Sequence, residues 1–499
     1  MTSQPSPASL ASPAQRRAWA ALVVVVLAVC YFAQLGIVGF AGPDEPRYAW
    51  IARDMAESGD WVTPRLYGQP WFEKPVLLYW GGAIFFRLFP GHPEIAARLP
   101  SAISALLATL ALAWFARRVY GGDCARWLLL LLPATVGMIA FSHAAATDMP
   151  FAGMLTVAMV CAAVALGLAR NQNTPVLPRT PWFALLLFGF FLGLAMLAKG
   201  PAAIILCGGA VFFWAIFTRR WRDTFRLLHP AAIAAFCATA LPWYILCARR
   251  NPDFFRVFII EHNFKRYLTP EFQHIQPFWF YLPILLIAFL PWTLLLPWSA
   301  YAALSGGRHE FRPAPTTVLL LCWSGFCLIF FSISKSKLPG YILPAVPALA
   351  LLLVRLIQIR LPKPRVVGLS FVVPVLIAIL SVQIFLPRVL RRDPSAKTVA
   401  TELASAGAAQ NLFVANMHRA QHYSLNFYLH REIPDWDSNR PQEGYLLLPG
   451  KNCTALVAAP YTCSSDPRFL GKSGYYLYRV TNETSLGGLG GAGGRGRQP

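Results

Sequence analysis

The sequence predicts a mainly α, polytopic membrane protein with a small C-terminal α/β domain outside the bilayer. Three observations predict it. Of its 499 residues, 56% are hydrophobic and 13% charged, where soluble domains carry roughly 25% charged residues. About eleven apolar runs approach the roughly 20 residues that a helix needs to cross the hydrocarbon core. Arginines recur in clusters in alternate loops between those runs.

The apolar runs lie near 18–40, 98–116, 126–143, 149–169, 181–198, 201–218, 230–248, 277–299, 315–333, 339–358 and 366–387. The run 76–90, "VLLYWGGAIFFRLFP", is different. As a helix it rises only about 22 Å, so it reads as a helix lying in the interface. With 76–90 not crossing and a cytoplasmic N-terminus, the basic clusters all fall on the cytoplasmic side. These are Arg16/Arg17, Arg117/Arg118/Arg126, Arg170/Arg179, Arg219–Arg226, Arg308/Arg312 and Arg355–Arg365. That is the positive-inside pattern. The first run is too long for a cleavable leader and reads as an uncleaved span.

The expected organisation follows. Residues 1–17 form a disordered cytoplasmic start. Residues 18–387 form the transmembrane domain, with an external juxtamembrane loop at 41–97. Residues 388–480 form an external α/β domain, with strand-like runs "NLFVANM", "GYLLLPG", "TALVAAP" and "YYLYRV". Residues 481–499 form a disordered Gly-rich tail. The net charge of +22 is then a topology signal, not a nucleic-acid footprint. No P-loop and no G-x-G-x-x-G opening a helix is present. Of ten cysteines, eight lie in or beside spans as small apolar groups. Cys453 and Cys463, in "CTALVAAPYTC", are external and suit a disulfide in an oxidising compartment; two free thiols are the alternative.

The same parity gathers the unusual polar groups on the opposite, external face. Asp44, Glu45, Arg47, Glu73 and Lys74 lie in 41–97. His143 and Asp148 lie in "SHAAATDMPF", Lys199 in "LAKGP", His262 and Arg266 in "EHNFKRY", and Lys335 and Lys337 in "SKSKLPGY". Each has an ordinary reading alone: a snorkelling Lys199, an N-capping Asp148, an interfacial anchor at Lys335 and Lys337. Their coincidence on one face points to a shared site, because ionisable groups at membrane depth are functional candidates. Cations suit a phosphate, and a carboxylate suits a general base or an orienter of the attacking group. Tyr48, Tyr67, Trp71, Tyr79 and Tyr341 can stack on a sugar or line a lipid chain. The combination suits group transfer from a polyprenyl phosphate.

The motifs "GPDEPRYAWIARDM", "GQPWFEKPVLLYW", "ARLPSAI", "TDMPFAG", "LAKGP", "PWYI", "EHNFKRY" and "SKSKLPGYILPAVPALALL" occur in an order that resembles the GT-C-fold glycosyltransferases of the lipid A aminoarabinose transferase (ArnT) group, relatives of the protein O-mannosyltransferases. The resemblance runs from about residue 18 to 358. It implies a GT-C fold, a bacterial inner-membrane location and a site facing the periplasm. The implied activity is an inverting transfer from a sugar on undecaprenyl phosphate, most specifically 4-amino-4-deoxy-L-arabinose, to an acceptor such as a lipid A phosphate. Another sugar or a glycan or protein hydroxyl stays open, as does a lipid-linked sugar flippase.

The resemblance also implies roles. Asp44 and Asp148 are the acidic, catalytic or acceptor-orienting positions. Arg47, Lys74, Lys199 and Lys337 bind or neutralise the donor phosphate. Tyr48, Glu73, Tyr79, Arg266 and Tyr341 form the substrate pocket. His262 lies where the family can place a metal contact, so Glu73 and His262, with Asp148, are a candidate divalent-metal set; charge neutralisation by Lys and Arg needs no cofactor. The chain departs from the family at Val76, where relatives often carry a second proline, and in its shorter length.

Overall fold

The computed structural model describes residues 12–169, 181–269, 275–295, 314–360, 373–379, 395–436 and 443–482, less positions 455, 458 and 471–473, together with residues 297, 301, 381, 382 and 385. The Ser/Pro-rich start, most of the run 366–387 and all but the first residues of the Gly-rich tail lie outside the described residues.

Helix α1 (Pro13–Phe32) begins before the expected boundary at residue 18. Ser12 and Gln15 form a capping box there, with proline in the first turn, so two orphan amide donors are satisfied. After α1 come α2 (Asp44–Ser58), a short β1–β2 hairpin (Arg65–Leu66, Gln69–Pro70), α3 (Leu77–Leu88) and α4 (Pro93–Tyr120). Helix α3 is 12 residues long, too short to cross, and packs on α2 and α4. This matches the non-crossing segment expected at 76–90.

The expected span 126–143 is a broken pair, α5 (Gly122–Leu131) and α6 (Val136–Ser142), bent by 62°. Then follow α7 (Asp148–Ala165), α8 (Trp182–Lys199), α9 (Ala202–Thr218), and the helices Pro230–Arg250, Tyr281–Ala288, Pro315–Ile333 and Val346–Arg360. Among the described residues, seven helices are long and apolar enough to cross a bilayer, or eight with the bent pair. Helix α9 falls one residue short of that length, and 277–299 holds a shorter helix. Apolar side chains such as Val24, Phe183 and Phe217 face outward, as lipid solvation of helices requires. Small residues bring the backbones together: a Cβ on Gly189 of α8 would collide with the Ala232 carbonyl of Pro230–Arg250.

The C-terminal unit is a five-stranded sheet, order β3-β4-β7-β5 with β6 (Arg468–Leu470) also on β7. Strands β3 (Leu412–Val414) and β4 (Glu443–Leu448) pair in parallel, and the helix Arg419–Leu429 lies between them in the chain. Strands β4, β5 (Tyr461–Cys463) and β6 are antiparallel to β7 (Tyr475–Asn482). A disulfide joins Cys453 to Cys463. Among the remaining cysteines, all are buried except the half-buried Cys237.

One buried ion pair sets the entry to the site. Arg98 of α4 donates to both Glu45 carboxylate oxygens, at 3.0 and 2.9 Å, and to the carbonyls of Leu35, Val38 and Gly39. Glu45 in turn accepts from the Ala41 and Ala145 amides. The pair ties α2, α4, the loop after α1 and the loop before α7 together. Removing one partner of such a pair leaves a buried charge unpaired. Arg98→Ala should therefore destabilise the protein by about 3–5 kcal/mol, seen as a lower thermal midpoint in detergent.

Candidate active site

Asp44 opens α2. Acidic residues in the first turn suit the positive end of the helix dipole, and the first turn here holds both Asp44 and Glu45. They divide the work by direction: Glu45 turns inward to Arg98, and Asp44 stays half-exposed at the helix mouth, its side chain 49% accessible. Arg47, one turn on and 4% exposed, donates to Asp44 and, at 3.4 Å, to Glu73. Its Nε donates to the Pro43 carbonyl. Its guanidinium also lies over the rings of Tyr48 and Trp71. Arg47 is thus a joint between two carboxylates from different segments.

A second pair lies nearby. Asp148 begins α7 and Lys199 ends α8, each at the helix end that its charge favours. Lys199 Nζ donates to Asp148 at 2.5 Å and stands 4.4 Å from the Tyr341 ring centroid. Thr147, not Asp148, is the N-cap residue of α7, and Lys199 points inward, so neither ordinary reading of these residues holds. Gly340 permits the arrangement: a Cβ there would come within 2.6 Å of the Asp148 carboxyl.

Glu73, Lys199 and Tyr341 border a cavity of about 340 Å³. Its charged end holds Glu73, Lys74, Lys199, His262 and Arg266, with Tyr341 beside them. Its other walls are apolar, including Ile205, Phe264, Leu268, Phe330 and Phe331. Arg266 hydrogen-bonds the Tyr341 hydroxyl. His262 lies on a π-helical segment, Arg256–Lys265, held by Asn263 donating to the Phe258 carbonyl at 2.7 Å. A more polar recess of about 530 Å³ lies on the other side of Glu73 and His262, lined also by Trp71, Asn251 and Arg256. Glu73 and His262 form the partition between the two.

The electrostatics follow from burial and crowding. Burial, reinforced by Arg266 and Lys199 and partly offset by Glu73 and Asp44, lowers Lys74 to about 8. Burial works against the Glu73 carboxylate, but Arg47, Lys74, His262 and Arg266 outweigh it and hold it below the usual range. Burial likewise keeps His262 neutral to lower pH; Lys74 and Arg266 add to this, against the pull of Glu73. The site is cationic in excess and, among the described residues, Lys74 makes no hydrogen bond or ion pair. It is built to receive an anion.

Other expected residues land elsewhere. Lys337 is buried, and its ammonium donates to the carbonyls of Ser334 (2.6 Å) and Gln276 (3.0 Å); it fixes the loop behind the cavity and does not line it. Tyr48 and Tyr79 pack against each other in an apolar cluster under α2 and α3, centroids 5.8 Å apart. Burial pushes both phenols up, so both stay protonated. Among the described residues, no group of three or more His, Cys, Asp or Glu stands close enough to hold a metal ion; Glu73 and His262 share a wall, while Asp148 is taken by Lys199. Tyr423, from the C-terminal unit, also reaches the site: its ring lies 5.3 Å from the Arg47 guanidinium. Nothing in its sequence context, "RAQHYSLNFYL", marks it, because the contact is between units far apart in the chain.

The bundle, the cavity with its charged end and apolar walls, and the docked α/β unit define a class: a multi-pass membrane protein with a cationic cavity continuous with an apolar one. A family model described as dolichyl-phosphate-mannose-protein mannosyltransferase matches residues 18–258. Two relatives carry the name undecaprenyl phosphate-alpha-4-amino-4-deoxy-L-arabinose arabinosyl transferase. That of Erwinia tasmaniensis is 33% identical over 335 residues, 67% of this chain and 58% of its own. That of Pseudomonas aeruginosa LESB58 is 35% identical over 341 residues, 68% of this chain and 59% of its own. The chain thus spans less than three fifths of the length of these relatives. The crystal structure of ArnT from Cupriavidus metallidurans bound to undecaprenyl phosphate superposes with a TM-score of 0.74 at 24% identity, covering 93% of this chain and 98% of that one. An Archaeoglobus fulgidus oligosaccharyltransferase gives 0.53 at 14% identity, covering 84% and 64%. Over about two thirds of its length the chain is thus similar in sequence to the aminoarabinose transferases, and over 93% of it the chain shares the fold of ArnT.

Proposed function

We propose that the protein is an inverting glycosyltransferase of a bacterial inner membrane. It moves a sugar from undecaprenyl phosphate to an acceptor at the periplasmic face, most specifically 4-amino-4-deoxy-L-arabinose to a lipid A phosphate. The observation that carries this reading is the cavity itself: a cationic end of Lys74, Arg266 and Lys199 continuous with apolar walls, beside the Asp44–Arg47–Glu73 joint. The names of the relatives supply the donor and acceptor.

In this reading the polyprenyl chain lies along the apolar walls and its phosphate meets Lys74 and Arg266. An acceptor oxygen attacks the anomeric carbon. The bond from that carbon to the phosphate oxygen breaks, and its electron pair leaves with the lipid phosphate. Lys74 and Arg266 stabilise that growing charge in a site shielded from water. A phosphate acceptor is already nucleophilic, so Asp44 orients it; a hydroxyl acceptor would give its proton to Asp44. Asp148 holds Lys199 in place beside Tyr341. The cations supply the charge stabilisation, and the reading contains no metal step.

The test is mass spectrometry of lipid A from a strain that lacks its own aminoarabinose transferase. Supplied with this chain, the strain should show lipid A heavier by one aminoarabinose. Unmodified lipid A with the protein present and folded would overturn the aminoarabinose assignment, and assays with other polyprenyl-phosphate sugars would then test the transferase reading.

A further inference from the structure

The C-terminal unit does more than sit near the site. The helix Arg419–Leu429 is fastened to the juxtamembrane elements along its length. Ser424 Oγ donates to the Phe40 carbonyl at 3.1 Å, and Asn426 donates to the Tyr67 hydroxyl at 3.1 Å. The Phe427 carbonyl accepts from Arg53 at 3.0 Å, and the Arg53 guanidinium lies 4.2 Å from the Phe427 ring centroid. The Tyr428 hydroxyl donates to Glu94 at 2.8 Å, and Lys397 donates to the same buried carboxylate at 2.7 Å.

This fastening sets one side chain over the catalytic joint. The Tyr423 ring covers the Arg47 guanidinium at 5.3 Å, and Arg419 lies 6.0 Å from the same ring centroid. Trp71 and Tyr48 also lie against Arg47, but both belong to the same juxtamembrane stretch as Arg47 itself. A flat aromatic face attracts a guanidinium and limits its rotation. Arg47 is the group whose rotation would separate Asp44 from Glu73.

We propose that Tyr423 is a positioning residue: its ring holds Arg47 in the orientation that bridges Asp44 and Glu73, so the C-terminal unit completes the active site. The ring, not the hydroxyl, carries the effect. The catalytic consequence rests on the transferase reading; the hold on Arg47 does not.

The test uses the full chain in detergent, as wild type, Tyr423→Phe, Tyr423→Ala and Tyr423→Leu. The leucine variant keeps apolar bulk in the helix if the alanine variant fails to fold. The first readout is the rate at which phenylglyoxal modifies Arg47, followed by peptide mass spectrometry. It should rise several-fold in the alanine and leucine variants and stay at the wild-type rate in the phenylalanine variant. The second readout is transfer: kcat should fall about tenfold in the alanine and leucine variants, with donor KM within about twofold, and return in the phenylalanine variant. Unchanged Arg47 modification in the alanine and leucine variants, or a phenylalanine variant as impaired as they are, would overturn the proposal. A wild type that transfers no sugar would sink the transferase reading alone, because Arg47 modification still decides the role of Tyr423.

Discussion

Asp44→Asn should lower sugar transfer by about 10²–10⁴-fold and leave undecaprenyl phosphate binding intact. The carboxylate has one oxygen on Arg47 and is otherwise half-exposed at the mouth of α2. It is the acidic group of the joint best placed to meet an incoming acceptor. Asparagine keeps the shape and the α2 start but loses the charge, so it can neither accept a proton nor hold the guanidinium as tightly. Arg47 keeps Glu73 and the Pro43 carbonyl as partners. The fold of the juxtamembrane segment rests instead on Glu45 and Arg98. A turnover assay beside a melting curve and a lipid-phosphate binding measurement separates the two roles. Equal turnover in the variant would remove Asp44 from the mechanism; lost lipid binding would make it part of the donor site.

Lys74→Met should reduce turnover at pH 7 by about 10²–10³-fold, the scale of removing one preorganised electrostatic contact. The pH dependence gives a sharper check. Lys74 is lowered to about 8, whereas an unfolded lysine titrates near 10.4. Between those values the folded state binds fewer protons than the unfolded chain, so this group makes stability rise with pH across that window. Anion binding asks for the reverse. A lipid phosphate pairs with the protonated amine, so above about pH 8 binding must take up a proton. Affinity for undecaprenyl phosphate should then be lost progressively, approaching tenfold per pH unit. Lys74→Arg stays charged and should flatten that slope. A wild-type affinity independent of pH between 7 and 9.5 would place the phosphate elsewhere.

Much of this architecture was legible in the chain. The apolar runs announce helices because a bilayer leaves backbone amides no partners but one another. The short run at 76–90 was readable as non-crossing from its length, and the arginine clusters then assigned every loop a side. The gathering of Glu73, Lys74, Lys199, His262 and Arg266 followed from that parity, and all five line the cavity, with Asp148 paired to Lys199 and Asp44 joined to Glu73 through Arg47. The start of α1 was placed too late, because a capping box in a Ser/Pro-rich stretch is easily read as disorder. The break between α5 and α6 was missed because hydropathy sums over a window and is blind to a bend.

Composition and spacing determined that the protein is a helical membrane bundle, where its charges cluster and which face they share, since lipid solvation acts on each segment separately. Tertiary structure alone decided which charge meets which. Glu45 became a structural clamp while its neighbour Asp44 stayed half-exposed; Lys337 turned to backbone carbonyls while Lys74 lines the cavity; Tyr423 crossed from another unit to cover Arg47. The physical reason is that Coulomb and ring–cation attractions weaken with distance in space, and that distance is set by packing between segments that lie tens to hundreds of residues apart in the chain.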